Sequence, residues 1–284
     1  MAIFTNQATL IYNGQSTSSN VTTGELLNGL TLTKTAISTD YGRDDRIGYV
    51  VTISNDGGAI TGATLTDDLG AYTSAGGATV TPLSYVDGSL LYYVNGVPTT
   101  PPTAAGGPPL TITGINIPAG ANVIFIYEAA TNEFTPLEAG GVVTNTATLT
   151  EAGLAETVAD TATVTARDEV ALTIAKAICP PVVNDNDTIT YTFIIQNAGN
   201  TAVLATDDVI VTDTFNPILN PIEVRLDGTL WTEGVEYEYD ETTGLFTTTA
   251  GSITVPAATY TQDVTTGAYS VTPGVAIITV SGTV

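Results

Sequence analysis

Apolar and polar residues alternate along this chain in short runs with a period of two. Segments 48–54 (GYVVTIS), 122–127 (NVIFIY), 189–195 (ITYTFII) and 275–280 (VAIITV) are rich in β-branched and aromatic side chains. Gly, Pro, Asn and Asp punctuate them. A pleated strand turns successive side chains to opposite faces, so such runs predict strands. No useful length repeats apolar residues at helical spacing, and LLNGL at 26–30 is short and broken by Gly29. Many short strands divided by turn residues predict an all-β chain of sandwich type.

The pattern runs through the chain twice. LTLTKTAI (30–37) is answered by LTIAKAIC (172–179), and YVVTISNDG (49–57) by YTFIIQNAG (191–199). TLTDDL (64–69) is answered by IVTDTF (210–215), and YVDGSLLY (85–92) by RLDGTLWT (225–232). IPAGANVIFIY (117–127) and VTPGVAIITV (271–280) match more loosely. The 284 residues suffice for about two domains of ordinary size.

A third match is displaced. FTNQATL (4–10) returns as VTNTATL (143–149), where it follows the strand IFIYEA (124–129). The matching strand of the second repeat, AIITVSG (276–282), is followed only by Thr283 and Val284. The second repeat is therefore expected to lack its final strand, with an equivalent strand at the front of the chain. Three parts are predicted: a donor-strand arm at 1–26, a complete sandwich at 27–168, and a sandwich short of its final strand at 169–284. Asn13-Gly14 predicts a tight type I′ turn, making the arm a hairpin with a flexible joint at 24–29. VPTTPPTAAGGPP (97–109) reads as a surface loop.

Composition narrows the function. The net charge of −23 argues against nucleic acid and anionic membranes, which require Lys and Arg. The chain has no His, the commonest general base and metal ligand, and its single Cys179 excludes an internal disulfide. Neither a phosphate loop nor a nucleophile–base pair is evident, so no cofactor, resident metal or conventional enzyme activity is expected. Aspartates 40, 44 and 45, and 185, 187, 207 and 208, could bind calcium at loop ends, but read more simply as solvated loop residues. Cys179 reads as a small buried apolar residue or a lateral thiol contact, and Trp231 with the tyrosines at 237–239 as strand packing or a patch between filaments. MAIFTNQATL has neither a basic leader nor a cleavage site, and apolar runs fall far short of the roughly 20 residues that span a bilayer. A protein made without a signal peptide and released from the cell that makes it is expected.

The string TKTA, YVVTISNDG, TLTDDL, PAGANVIFIY and TNTATLT resembles a bacterial surface-repeat domain known as domain of unknown function number eleven. The resemblance spans both repeats and implies immunoglobulin-like folds. Two such repeats also resemble the major structural proteins of clostridial spore appendages. That resemblance implies a spore-surface location, with release from the mother cell.

The inward rows carry the candidate chemistry. Lys34 shares a face with Leu30, Leu32 and Ala36, and Lys176 with Leu172, Ile174 and Ile178. Asp67 lies between Leu65 and Leu69 on one row, and Asp213 between Val211 and Phe215. Asn145 lies with Val143, Ala147 and Leu149, and Asn6 with Phe4, Ala8 and Leu10. Lone polar groups in a core are costly unless they meet. Lys, carboxylate and Asn together are similar to the constellation that forms Lys–Asn isopeptide bonds in Gram-positive pilin and adhesin domains. Lys34, Asp67 and Asn145 would react within one chain, and Lys176 and Asp213 with Asn6 of the next. The plainer reading is a buried salt bridge, a lysine that snorkels to solvent and strand-end Asp and Asn that fix turns.

Two functions follow. The first is a filament subunit polymerising head-to-tail as Phe4, Asn6, Ala8 and Leu10 enter the second sandwich of a neighbouring copy, so that its partner is itself. The second is a monomeric adhesin or carbohydrate-binding module with the arm folded back.

Overall fold

The computed structural model describes residues 2–26, 29–151 and 157–284. Strands dominate it, and the chain divides into two units. One comprises residues 1–136, 141–166 and 263–268, the other 137–140, 167–262 and 269–284. Both are two-sheet immunoglobulin-like sandwiches.

In the first unit one sheet runs Val97–Thr99, Leu91–Val94, Asn122–Thr131, Arg46–Asn55, Leu30–Ala36, with Leu83–Tyr85 also paired to Asn122–Thr131. The facing sheet runs Thr103–Ala105, Leu110–Ile117, Ile60–Asp67, Val142–Thr150, Val158–Ala166, Asp40–Tyr41. Alternation decides what is buried. Ile47, Tyr49, Val51 and Ile53 point inward from one strand, and Val123, Phe125, Tyr127 and Ala129 from its neighbour. Each larger side chain removed from water contributes about 1.5–3 kcal/mol. The Pro- and Gly-rich stretch read as a loop instead forms edge strands, Val97–Thr99 in one sheet and Thr103–Ala105 in the other. Edges tolerate proline because its missing N–H faces no partner.

The second unit repeats the first sheet as Leu172–Cys179, Thr188–Asn197, Gly274–Thr283, Ile222–Leu226, Thr229–Leu230. Its facing sheet has three strands, Thr212–Thr214, Leu245–Thr248 and Tyr237–Asp240. Stacked Tyr191, Phe215, Phe193 and Phe246 fill the core. Trp231, Tyr237 and Tyr239 are buried, so they serve strand packing. In the first unit Ile60–Asp67 has neighbours on both sides, Leu110–Ile117 and Val142–Thr150. Its counterpart Thr212–Thr214 pairs only with Leu245–Thr248. Among the described residues the second unit has no strand in the place of Val142–Thr150 or of Val158–Ala166. Among the described residues the shortfall is two strands, not one, because Val158–Ala166 pairs with residues 142–149 and belongs to the same closing hairpin.

The arm is a hairpin. Ala2–Asn6 pairs with Thr22–Leu26, and Thr9–Tyr12 with Gln15–Ser18. Asn13 and Gly14 both take positive φ, 48° and 75°, as a type I′ turn requires. The two ladders differ by one step in register, spanned by Ser19 N–H donating to Ala8 O and Ala8 N–H donating to Ser19 Oγ. These sheets contain no other strand. Phe4, Leu10, Ile11 and Tyr12 are all more than half exposed. Of the expected joint, Gly24 to Leu26 lie in strand, and residues 27 and 28 fall outside the described residues.

Candidate functional site

Three polar side chains meet in the core of the first unit. Leu30–Ala36 buries Leu30, Leu32 and Lys34 in alternation. The Lys34 ammonium donates to Asp67 Oδ2 at 2.6 Å, with side chains 0% and 2% exposed. Asp67 also accepts the Leu69 N–H at 3.0 Å and the Tyr127 hydroxyl. The amine stands 4.9 Å from the centre of the Tyr49 ring. Asp67 is opposite Ala147 in the ladder, so Asn145, two residues along on the same face, lies beside the pair.

Asn145 is 0% exposed, and neither atom of its amide has a hydrogen-bond partner. The Tyr49 and Tyr127 hydroxyls lie near enough for Asn145 to favour their ionised forms, but not in hydrogen-bonding geometry to the amide. An unsatisfied buried polar group costs about 1–3 kcal/mol. Burial holds the Lys34 amine below the usual 10.5, against the opposing pull of Asp67, Asp68 and Asp160. Burial raises both tyrosines above their usual 10.0, reinforced by the charge of Asp67. The arrangement brings together an amine whose burial favours its neutral form, a carboxyl group, and an amide with no competing partner.

The second unit has the same lysine and aspartate in a different setting. Lys176 bonds Asp213, but their side chains are 39% and 20% exposed. Lys176 Nζ lies 4.3 Å from the centre of the Tyr191 ring and 5.5 Å from those of Phe193 and Phe215. Every residue of Leu172–Cys179 is exposed, including the inward row Leu172, Ile174 and Ile178. Beside that row lies a groove of about 190 Å³ lined by Leu172, Ile174, Ile195, Val209, Ile210 and Val211.

Asn6, Phe4, Ala8 and Leu10 are all on the exposed arm. Cys179 is also exposed, not buried, because it alternates with the row of Ile178 and Lys176 and so faces outward. Asp45, Asp187 and Asp207 accept backbone N–H groups of their own turns. Among the described residues no group of three or more His, Cys, Asp or Glu could hold a metal, and no helix is long and apolar enough to cross a membrane.

Sequence reading missed Tyr49, Tyr127 and Asp160. Tyr127 was within reach: it continues the inward row of Val123 and Phe125, and a buried tyrosine hydroxyl usually finds a partner. Its counterpart in the second unit is Val280, since Tyr49 pairs with Tyr127 as Tyr191 pairs with Val280.

No family model matches the chain, and no curated protein does. Among solved structures it is similar to a variant of the major pilin subunit of Bacillus cereus, at 11% identity and a TM-score of 0.38, over 87% of this chain and 63% of the pilin. It is similar to the pilus backbone protein of Streptococcus pneumoniae at 11% identity and a TM-score of 0.31, over 86% and 55% of the two chains. It is similar to the collagen-binding domain of a Staphylococcus aureus adhesin at 12% identity and a TM-score of 0.30, over 49% of this chain and 99% of that domain. In these two pilus structures the chain spans less than two thirds of the solved pilus chain, and the likeness is too slight to carry a function across.

Proposed function

We propose that the protein is the structural subunit of an extracellular or spore-surface filament. Its arm enters the second unit of the next copy, pairing with the free edge of Thr212–Thr214 and filling the groove with Phe4, Ala8 and Leu10. One observation carries this reading: Leu172–Cys179 is open to solvent where its twin Leu30–Ala36 is covered, and the arm repeats the phrase found on the strand that pairs with Asp67. Strand addition supplies backbone hydrogen bonds, and side chains in the groove supply specificity. The contact joins unlike surfaces, so it propagates unless its rotation closes a ring. The location rests on the resemblance to surface-repeat and spore-appendage proteins.

The same constellation locks the joints. In the first unit the Lys34 nitrogen attacks Cγ of Asn145, and a new C–N bond forms. Protonated Asp67 polarises the amide oxygen, then moves a proton from the amine to the departing nitrogen. The Cγ–Nδ2 bond breaks, and ammonia leaves with no redox change. At the joint, Lys176 and Asp213 react likewise with Asn6 of the entering arm.

Removing residues 1–23 tests the assembly. The full chain is expected to form filaments by negative-stain microscopy, and the truncated chain to stay monomeric. Filaments from the truncated chain, or a full-length monomer with the arm folded back, would refute it. Intact-mass measurement tests the locks: one ammonia is lost per bond, and an unaltered mass eliminates them while leaving strand addition in place.

A further inference from the structure

We propose that both strands of the arm enter the neighbouring copy, the second closing against Leu172–Cys179 so that Thr23 of one subunit lies beside Cys179 of the next. This rests on the strand-addition reading and adds to it a second contact, with a stated register.

The first unit shows why one strand is not enough. Val142–Thr150 extends the sheet that contains Ile60–Asp67, but Val158–Ala166 reaches the edge of the facing sheet. Asp160 Oδ2 accepts the backbone N–H of Lys34 at 2.7 Å. Farther along, Thr165 N–H donates to Thr39 O at 3.1 Å, and Thr165 and Ala166 pair in parallel with Asp40 and Tyr41. The two hydrogen bonds keep one stagger, which places Thr163 alongside Ile37. The second unit has neither of these strands, and the whole of Leu172–Cys179 lies open.

The arm is built as a matching pair. Phe4 faces Gly24 and Asn6 faces Thr22, as Val143 faces Val164 and Asn145 faces Ala162. The Phe4 ring lies over Gly24, where a Cβ would come within 2.4 Å of its Cζ. Two valines share the space in the closed sandwich, whereas in the arm one large ring covers a residue with no side chain. The apolar face therefore extends across both strands, yet Phe4 remains 58% exposed. Exposed apolar surface on a hairpin calls for a cover, and the second unit of another copy lacks the two strands that such a hairpin supplies and leaves Leu172–Cys179 open.

The register then follows residue by residue. Thr5 faces Thr23 as Thr144 faces Thr163. Cys179 occupies in the second repeat the position of Ile37 in the first. Thr23 is thus set beside Cys179.

Mixed assembly tests this with full-length chains. Thr23→Cys/Cys179→Ser is co-assembled with the wild-type chain, so a disulfide can form only between copies. The filaments are oxidised, digested without reduction and mapped by mass spectrometry. A reducible peptide pair joining the thiol introduced at position 23 to Cys179 of the wild-type chain is expected. A parallel mixture of Thr9→Cys/Cys179→Ser with Thr212→Cys/Cys179→Ser reports the first strand, since Thr148 faces Thr66 in the closed sandwich. If the second mixture links and the first does not, the second strand lies elsewhere and this inference falls while strand addition stands. If neither links, strand addition fails and this inference with it.

Discussion

Two strands of nearly the same sequence, LTLTKTAI and LTIAKAIC, end in opposite surroundings. Lys34 and Lys176 occupy the same position, and both bond an aspartate at the same position of the facing sheet. The Lys34 side chain is 0% exposed, whereas that of Lys176 is 39% exposed. The strands themselves do not cause this. Leu30–Ala36 is closed over by the hairpin of Val142–Thr150 and Val158–Ala166, and Leu172–Cys179 has no such hairpin among the described residues of its unit. Burial of a strand is conferred by its neighbours, so one lysine can be a buried reagent and the other an open binding edge.

The comparison can be broken most forcefully at the lysines. Asn145→Ala removes the partner that the proposed bond in the first unit requires, and adding Lys34→Ala to it leaves Asp67 uncompensated in a dry core. That second change should cost about 3–5 kcal/mol, read by urea unfolding. Lys176→Ala in the arm-truncated monomer should cost no more than about 1 kcal/mol, because its pair is partly solvated. Equal losses would mean that the two sites are not differently buried.

Asn145→Ala alone sharpens the contrast through pH. Its Lys34 amine stays free, with a folded value below the unfolded 10.5. Between those values the unfolded chain binds more protons, so stability rises with pH across that window. Tyr49 and Tyr127 act oppositely: held above 10.0 by burial, they bind more protons in the folded chain and lower stability once pH passes 10.0. Urea unfolding stepped from neutral to alkaline pH should show a rise, then a fall. A fall above pH 10.0 with no rise before it would show the amine to be unperturbed.

Tyr127→Phe removes the hydroxyl that holds Asp67 and that the second unit lacks. With Asn145→Ala also present, so that no bond forms, a loss of about 1 kcal/mol is expected. With Asn145 intact, intact-mass measurements during refolding should show slower loss of ammonia. An unchanged rate would assign Tyr127 to packing alone. Cys179→Ser should shift stability by less than about 0.5 kcal/mol, because the thiol is exposed. A larger loss in the monomer would mean that Cys179 packs inside its own chain.

Much of the site was legible before any coordinates. Period-two alternation placed Lys34, Asp67 and Asn145 on inward rows, and the structure buries all three. It also brought Lys176 to Asp213. Alternation could not show that Asn145 would be left without partners, because hydrogen bonding depends on which strands face each other. It could not reveal the part of Asp160, whose carboxylate meets a backbone N–H from the opposite sheet. TNQATL returning as TNTATL marks one closing strand plainly, whereas the second, Val158–Ala166, has only a weakly patterned twin in residues 15–26.

By itself the sequence determined the strands, their inward and outward faces, the twofold repeat and the Asn13-Gly14 hairpin. All of these follow from local chemistry: side-chain branching, the alternation of a pleated chain and the residues that tolerate positive φ. Only the tertiary structure decided which lysine is dry, which amide is stranded and how many strands the second unit lacks. Those depend on the neighbours that far-apart segments supply, and a pattern read along one strand carries no record of what lies across from it.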